Sequence, residues 1–247
     1  MAKLPKIRNF GRSAKKEVIG MSTYISSLEL YNKYNKSNAS PRSKAMLIAK
    51  LIEDGVIVKV DNEMYKIVNK KKYHIFRDYD GTRDFIDLFK EFGFDYIIYN
   101  STFLNEWLNQ LIGKGTIFIE ADKKYLSSIY ELLVDNGYTN ILLYPTINEI
   151  NKYTLNELII IKPLFSRSPI NRKEKSFTIE KVIVDLYCDS ILKKYYPTSE
   201  LADIYRQIFN TYAIDEFSLN AYLKRRNLKD RFYDFLNVND LGNRIND

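Results

Sequence analysis

Four short apolar runs, set between helical stretches, restrict this chain to a small group of folds. They are Tyr96-Ile97-Ile98-Tyr99, Thr116-Ile117-Phe118-Ile119, Asn140-Ile141-Leu142-Leu143-Tyr144 and Leu158-Ile159-Ile160-Ile161. Each is too short for a buried helix and is rich in β-branched and aromatic residues, so each reads as a strand. Amphipathic patterns around Thr102–Leu111 and Lys123–Asn136, and a shorter one after Pro145, read as helices, and Gly137 stops the second. Strands that do not alternate apolar with polar need cover on both faces. An α/β sheet domain is therefore expected, opened by a helix over Thr82–Phe92 that Gly93 ends. Pro163 and Pro169 mark a turn-rich connection. The last third reads as a helical subdomain: Thr178–Leu192, Ser199–Tyr212, a helix capped by Asp215 that runs to about Arg226, and Leu228–Leu236.

The first third has a different character. Up to Arg77 there are 17 Lys and Arg against 6 Asp and Glu, while the remainder has 21 against 25. That asymmetry points to nucleic acid or another anionic surface as the partner of the first third alone. Within it, Ser40 can cap a helix whose first residue is Pro41, and Leu47, Ile48, Leu51 and Ile52 form its apolar stripe. Gly55 fits the position just past its end. Val56–Val60, the polar turn Asp61-Asn62-Glu63 and Met64–Val68 then read as a β-hairpin. With two shorter helices before it, around Ala14–Met21 and over Tyr24–Tyr34, the order is that of a winged helix-turn-helix. The fold class is thus α/β: an N-terminal winged helix-turn-helix over residues 1–77, then an α/β sheet domain with a C-terminal helical subdomain over residues 78–247.

In such a module the capped helix enters the major groove with its first turn nearest the bases. Ser40, Arg42, Ser43 and Lys44 lie there, and Arg42 suits a bidentate contact to guanine. Lys36, Lys59 and Lys66 are expected to hold phosphates.

Several functions are disfavoured by what is scarce. His74 is the only histidine and Cys188 the only cysteine, so neither a zinc site of the usual nitrogen–sulfur kind nor an intrachain disulfide is expected. A single cysteine suits a reducing, cytoplasmic setting, and the basic N-terminus lacks the apolar core of a secretory signal. No apolar run is long enough to span a membrane, and no Gly-rich phosphate loop is present. Glu120 and Lys162 end strands, as in a nuclease core, but the position two before Lys162, where a metal-binding acid is needed, is Ile160. No catalytic residue, metal or cofactor is expected.

A family resemblance runs along most of the chain. Leu51–Val60 followed by Met64-Tyr65 resembles the winged-helix end of AbiEi-type antitoxins. Ile161–Pro169 resembles that family's K-P-L-x-S-R-x-P segment, and Ile179–Leu186 its x-E-K-x-x-V-D-L segment. Tyr222-Leu223-Lys224-Arg225-Arg226 is similar to its Y-A-x-R-R pattern, with Leu223 in place of the small residue. The resemblance implies an antitoxin of a type IV toxin–antitoxin system acting in abortive phage infection. Such a protein binds inverted repeats in its own promoter DNA and counteracts a nucleotidyltransferase-like toxin. Lys162, Arg167, Glu180, Lys181, Asp185, Arg225 and Arg226 lie in the segments that carry the resemblance. They are candidates for the surface opposing the toxin, with Lys181 and Arg226 expected to be exposed. The competing arrangement is internal, with Glu180 or Asp185 paired to Arg225 or Arg226 and locking the helices to the sheet. Two rival functions remain: a winged-helix regulator whose α/β body senses a ligand or dimerises, and a nuclease.

Overall fold

The computed structural model describes residues 24–68, 70–74, 81–90, 93, 95–153, 155, 157–242 and 245. It divides into two units. The first takes the described residues up to Tyr73 with Phe209–Ser218 and Ile245, and the second takes those from His74 to Ile208 and from Leu219 to Gly242. The expected boundary near residue 77 lies outside the described residues, and the first unit also recruits a segment from far along the chain.

In the first unit, β1 (Tyr24–Ser26), α1 (Ser27–Lys33), α2 (Pro41–Glu53), β2 (Ile57–Asp61) and β3 (Met64–Ile67) follow one another. The sheet is antiparallel, in the order β1-β3-β2. The helix expected over Tyr24–Tyr34 starts three residues late, because Tyr24–Ser26 pair with Met64–Lys66. The helix expected around Ala14–Met21 lies outside the described residues. Ser26 and Glu29 form a reciprocal capping box on α1. Ser40 caps α2 by accepting the Ser43 N–H at 3.3 Å, and Pro41 takes the first helical position, where its missing N–H costs nothing. Leu47, Ile48, Leu51 and Ile52 turn inward against Ile25, Leu30, Val56, Ile57 and Tyr65. Gly55 turns the chain at φ +65°, and a Cβ there would lie 2.5 Å from the Lys70 carbonyl oxygen, so only glycine fits. The recruited segment is stitched on through Lys71. Its N–H donates to the Thr211 carbonyl at 3.0 Å, and its carbonyl accepts from Ala213 N–H at 2.8 Å. The Tyr73 and Tyr212 rings meet edge to face with centroids 5.1 Å apart.

In the second unit, α3 (Arg83–Leu88) precedes β4 (Tyr96–Asn100), β5 (Ile117–Ala121), α4 (Leu126–Asp135), β6 (Ile141–Leu143), α5 (Ile147–Ile150) and β7 (Ile159–Pro163). The strands form one mixed sheet in the order β4-β5-β7-β6, antiparallel only between β4 and β5. One face presents Tyr96, Ile98, Ile119, Ala121, Ile159 and Ile161 to Phe85, Phe89, Leu126, Ile129 and Leu133. Each fully buried Ile or Leu contributes roughly 1.5–3 kcal/mol of apolar transfer. The opposite face carries Tyr99, Phe118, Glu120, Ile160 and Lys162, by the two-residue period of a strand.

Two local expectations differ from the structure. Where a helix is read over Thr102–Leu111, a 3₁₀ turn spans Ser101–Glu106. The Asn105 side chain is bonded to both the N–H and the carbonyl of Ile112, at 2.7 and 2.9 Å, which folds the chain back before a helix can continue. The turn-rich connection after β7 contains a small hairpin, β8 (Ile170–Asn171) with β9 (Ser176–Phe177). Then come α6 (Ile179–Cys188), α7 (Leu201–Thr211), α8 (Glu216–Arg225) and α9 (Lys229–Val238). Tyr205 ties α7 to α6 by donating to the Ile183 carbonyl at 2.7 Å, and its ring meets Phe232 and Phe235 of α9. The class is α/β, as the apolar runs imply. Among the described residues no helix is long and apolar enough to cross a membrane.

Candidate functional site

The second unit encloses a cluster of charges. Glu120 on β5 and Lys162 on β7 are register partners across parallel strands, so their side chains leave the sheet side by side. Helix α6 lies over that face and sends down Lys181 and Asp185, one turn apart. The Lys181 ammonium is held by Glu120, 2.9 Å from Oε2, and by the Asp185 carboxylate. Lys162 reaches Glu120 Oε1 at 3.3 Å and Asp189 Oδ2 at 2.5 Å. Asp185 Oδ1 accepts from the Tyr222 hydroxyl at 3.0 Å and from Arg226 Nη1 at 3.3 Å. Tyr99 completes the shell by donating to Glu120 Oε1 at 2.7 Å.

Three carboxylates thus meet three cations, and every one of the six has an opposite charge in contact. Burial pushes the Glu120 carboxyl up, but Lys181, Lys162 and the Tyr99 hydroxyl outweigh it and leave the group below its ordinary value. Burial pulls the Lys162 ammonium down, but Asp189 and Glu120 reverse this and raise it to about 12. Lys181 is likewise raised, against its own burial, by Asp185 and Glu120. These three groups stay ionised at neutral pH.

This geometry corrects the expected exposed surface. Lys181 is 3% exposed, and Glu180 and Asp185 are also buried. Glu180 accepts from the Thr178 hydroxyl. Arg226 is mostly enclosed, with its guanidinium 3.9 Å from the Phe165 ring centroid and Nη2 2.9 Å from Cys188 Sγ. Lys162 is enclosed as well, 4.8 Å from the Phe118 ring centroid. The internal alternative describes Asp185 and Arg226. Only Arg167 and Arg225 of the seven candidates are exposed, and Arg225 Nε donates to Ser166 Oγ at 2.5 Å. Tyr99, Asp189 and Tyr222 also belong to the cluster; Tyr99 is expected only as a strand residue and Tyr222 only as part of the resemblance, and Asp189 carries no sequence signal. The one signal available is a charge at the end of each of two otherwise apolar buried strands.

The network carries an acid-range prediction. Burial pushes the Asp189 carboxyl up, but Lys162 and the Ile191 and Leu192 N–H groups hold it down, at about 2 against an ordinary 3.8. A depressed carboxyl stabilises the fold above its unfolded value and loses that contribution as pH falls through the folded one. About 2 kcal/mol should therefore disappear between about pH 4 and pH 2. Asp189→Asn should flatten the stability profile in that window, as read by denaturant melts at stepped pH.

The first unit offers a basic face. Ser40, Arg42 and Ser43, at the start of α2, are exposed, and its first turn holds no acidic residue. Lys44 lies 5.0 Å over the Tyr31 ring, and Lys36 is half-buried. Lys59 on β2 sits 4.3 Å over the Phe217 ring of the recruited segment. Lys66 is a correction: it is 7% exposed on the central strand β3, opposite both Tyr24 and Val58, and so cannot grip a phosphate from the surface. Among the described residues no group of three or more His, Cys, Asp or Glu is placed to hold a metal ion.

No curated protein matches this chain. Among solved structures, the crystal structure of RV2827C protein from Mycobacterium tuberculosis is similar at 10% identity, covering 94% of this chain and 78% of that one, with a TM-score of 0.38. A family model matches residues 44–241, from the first turn of α2 to beyond the end of α9. A match of that extent shows membership, and the chain belongs to DUF6577, a family of unknown function.

Proposed function

We propose that the protein is a cytoplasmic antitoxin and transcriptional autorepressor of a type IV toxin–antitoxin system. The observation that carries the DNA-binding half is the exposed first turn of α2, with Arg42 and Ser43 at its surface, followed directly by the β2–β3 hairpin. Helix, helix and antiparallel hairpin in that order support a winged helix-turn-helix. The α2 N-terminus offers a positive dipole end beside Arg42, a combination suited to phosphate and base edges. On this reading α2 enters the major groove of an inverted repeat in the promoter, Arg42 reads a guanine, and Lys36, Lys44 and Lys59 steady the backbone. Such a protein has no catalytic step of its own.

The antitoxin half rests on the sequence resemblance. With Lys162, Glu180, Lys181, Asp185 and Arg226 committed to the interior, Arg167 and Arg225 are the candidates left to oppose a nucleotidyltransferase-like toxin. Both halves are testable in cells. A reporter fused to the protein's own upstream region should be repressed by the wild type and released by Arg42→Ala. Co-expression with the neighbouring reading frame should be toxic without this protein and tolerated with it. Arg225→Glu should lose rescue while its melting temperature stays near wild type, since exposed substitutions ordinarily change stability by within about 0.5 kcal/mol. Full rescue by both Arg225→Glu and Arg167→Glu would exclude this surface.

One observation favours a second reading. A cleft of about 370 Å³ in the second unit, lined by Leu108, Ile112, Leu155, Lys194, Tyr195 and Glu200, has the size of a small-molecule site. A regulator whose α/β body senses a ligand there would repress the reporter but rescue no toxin.

A further inference from the structure

The outward face of α2 is apolar where an exposed helix is ordinarily polar. Its inner stripe, Leu47, Ile48 and Leu51, packs into the first unit's core. On the other side, residues three and four apart line up as Arg42, Ala45, Met46 and Ala49, all exposed or half-exposed, and Met46 keeps 63% of its surface. The next residue on this stripe, Glu53, is taken up in an ion pair with Lys72. Between Arg42 and Glu53 the face carries no charge, while Lys50 flanks it and Lys44 lies round the helix, over the Tyr31 ring.

We infer that this face reads thymine methyl groups in the major groove, beside a guanine held by Arg42. The inference rests on the DNA-binding reading of the first unit and names what that site selects. The thymine C5-methyl is the apolar group that base edges present in the major groove, and small apolar side chains are its usual contacts. Ala45 and Ala49 let the helix backbone approach the groove floor. Met46 supplies a flexible thioether that adapts to the position of a methyl group. Charge decides between a groove and an apolar protein partner. An apolar protein partner would bury Arg42 and Lys50 without counter-charge, whereas DNA brings a phosphate row to each edge of the groove. From Arg42 to Ala49 the helix rises about 10.5 Å. That matches about three base-pair steps at roughly 3.4 Å each, so thymines should lie within about three base pairs of the guanine.

The test uses the full-length protein and two labelled duplexes. One is its own upstream region, and the other is the same duplex with deoxyuridine in place of every thymidine. Removing one contacted methyl group should weaken binding about fourfold. The wild type should therefore prefer the thymidine duplex about tenfold or more over paired half-sites. Met46→Ser, a change at an exposed position, should keep the wild-type melting temperature and much reduce that preference. Equal affinity of the wild type for both duplexes would overturn the inference and leave DNA binding intact. A preference that Met46→Ser and Ala49→Asn both preserve would place methyl readout elsewhere and also overturn it. No binding of either duplex at low salt would remove the DNA reading and this inference together. A Met46→Ser protein that binds both duplexes like the wild type, but sediments as monomer where the wild type is a dimer, would assign the face to a second copy of the chain.

Discussion

Replacing Lys181 with alanine is expected to cost about 3–5 kcal/mol of folding stability, the penalty for breaking a buried ion pair from one side. The ammonium lies between Glu120 and Asp185, and both carboxylates are buried. Without it Asp185 retains Arg226 and Glu120 retains Lys162, but each of those contacts is 3.3 Å, longer than the 2.9 Å that Lys181 makes to Glu120. The cluster would then hold one uncompensated negative charge in the space between helix and sheet. Against a typical total of about 5–15 kcal/mol, a loss of this size leaves much of the protein unfolded at growth temperature. Lys173→Ala, at an exposed lysine, should change stability by less than about 0.5 kcal/mol. Equilibrium denaturation of the wild type and both variants is the check. A Lys181→Ala protein as stable as the Lys173→Ala control would contradict the role of the cluster in holding α6 to the sheet. Failure of toxin rescue by Lys181→Ala would follow from the damaged fold, and so would not mark Lys181 as a toxin contact.

Arg42→Ala should leave the fold alone and cost about 1–3 kcal/mol of affinity for the promoter, the range of a bidentate guanine contact. Arg42 is exposed and sits at the positive end of the α2 dipole, where a cation slightly destabilises the helix. Thermal stability should therefore hold or rise by a few tenths of a kcal/mol, and an effect on DNA cannot be blamed on unfolding. The effect should fall at one base pair per half-site, so that substituting that pair costs the mutant nothing further. Lys59→Ala should instead weaken all duplexes equally and reduce the salt slope by about one. Competition binding against a set of single-substituted operators separates the two patterns. A uniform weakening by Arg42→Ala would make it a phosphate contact.

Helix α2 is legible in the sequence because each of its signals is local. Ser40 caps it, Pro41 opens it, and Gly55 ends it at the positive φ that glycine tolerates. The sheet strands are legible for a related reason, since their apolar runs need no partner to be recognised. Strand β1 is not, because Tyr24–Ser26 become strand only by pairing with Met64–Lys66, about forty residues on. The tie between Lys71 and Thr211–Ala213 joins still more distant segments. For the charged cluster, sequence spacing reveals the Lys181–Asp185 pair but not its burial. On a helix, a charged pair four residues apart ordinarily faces solvent. What buries this one is Glu120, 61 residues earlier, projecting from a strand into the same space. Lys66 misleads for the same kind of reason. A hairpin lysine reads as a wing residue until β1 closes on the far side of its strand.

On the proposed reading, the first unit binds DNA through α2 and the hairpin. The most direct measurement is a titration of the full-length protein against its own upstream region and a scrambled duplex, at salt concentrations from about 50 to 200 mM. If the proposed reading holds, binding to the upstream region should be the tighter. Log affinity should also fall against log salt by about 0.9 for each phosphate neutralised, hence a slope of several units for a paired site. No binding to either duplex at the lowest salt, or equal affinity for both across the range, would contradict it.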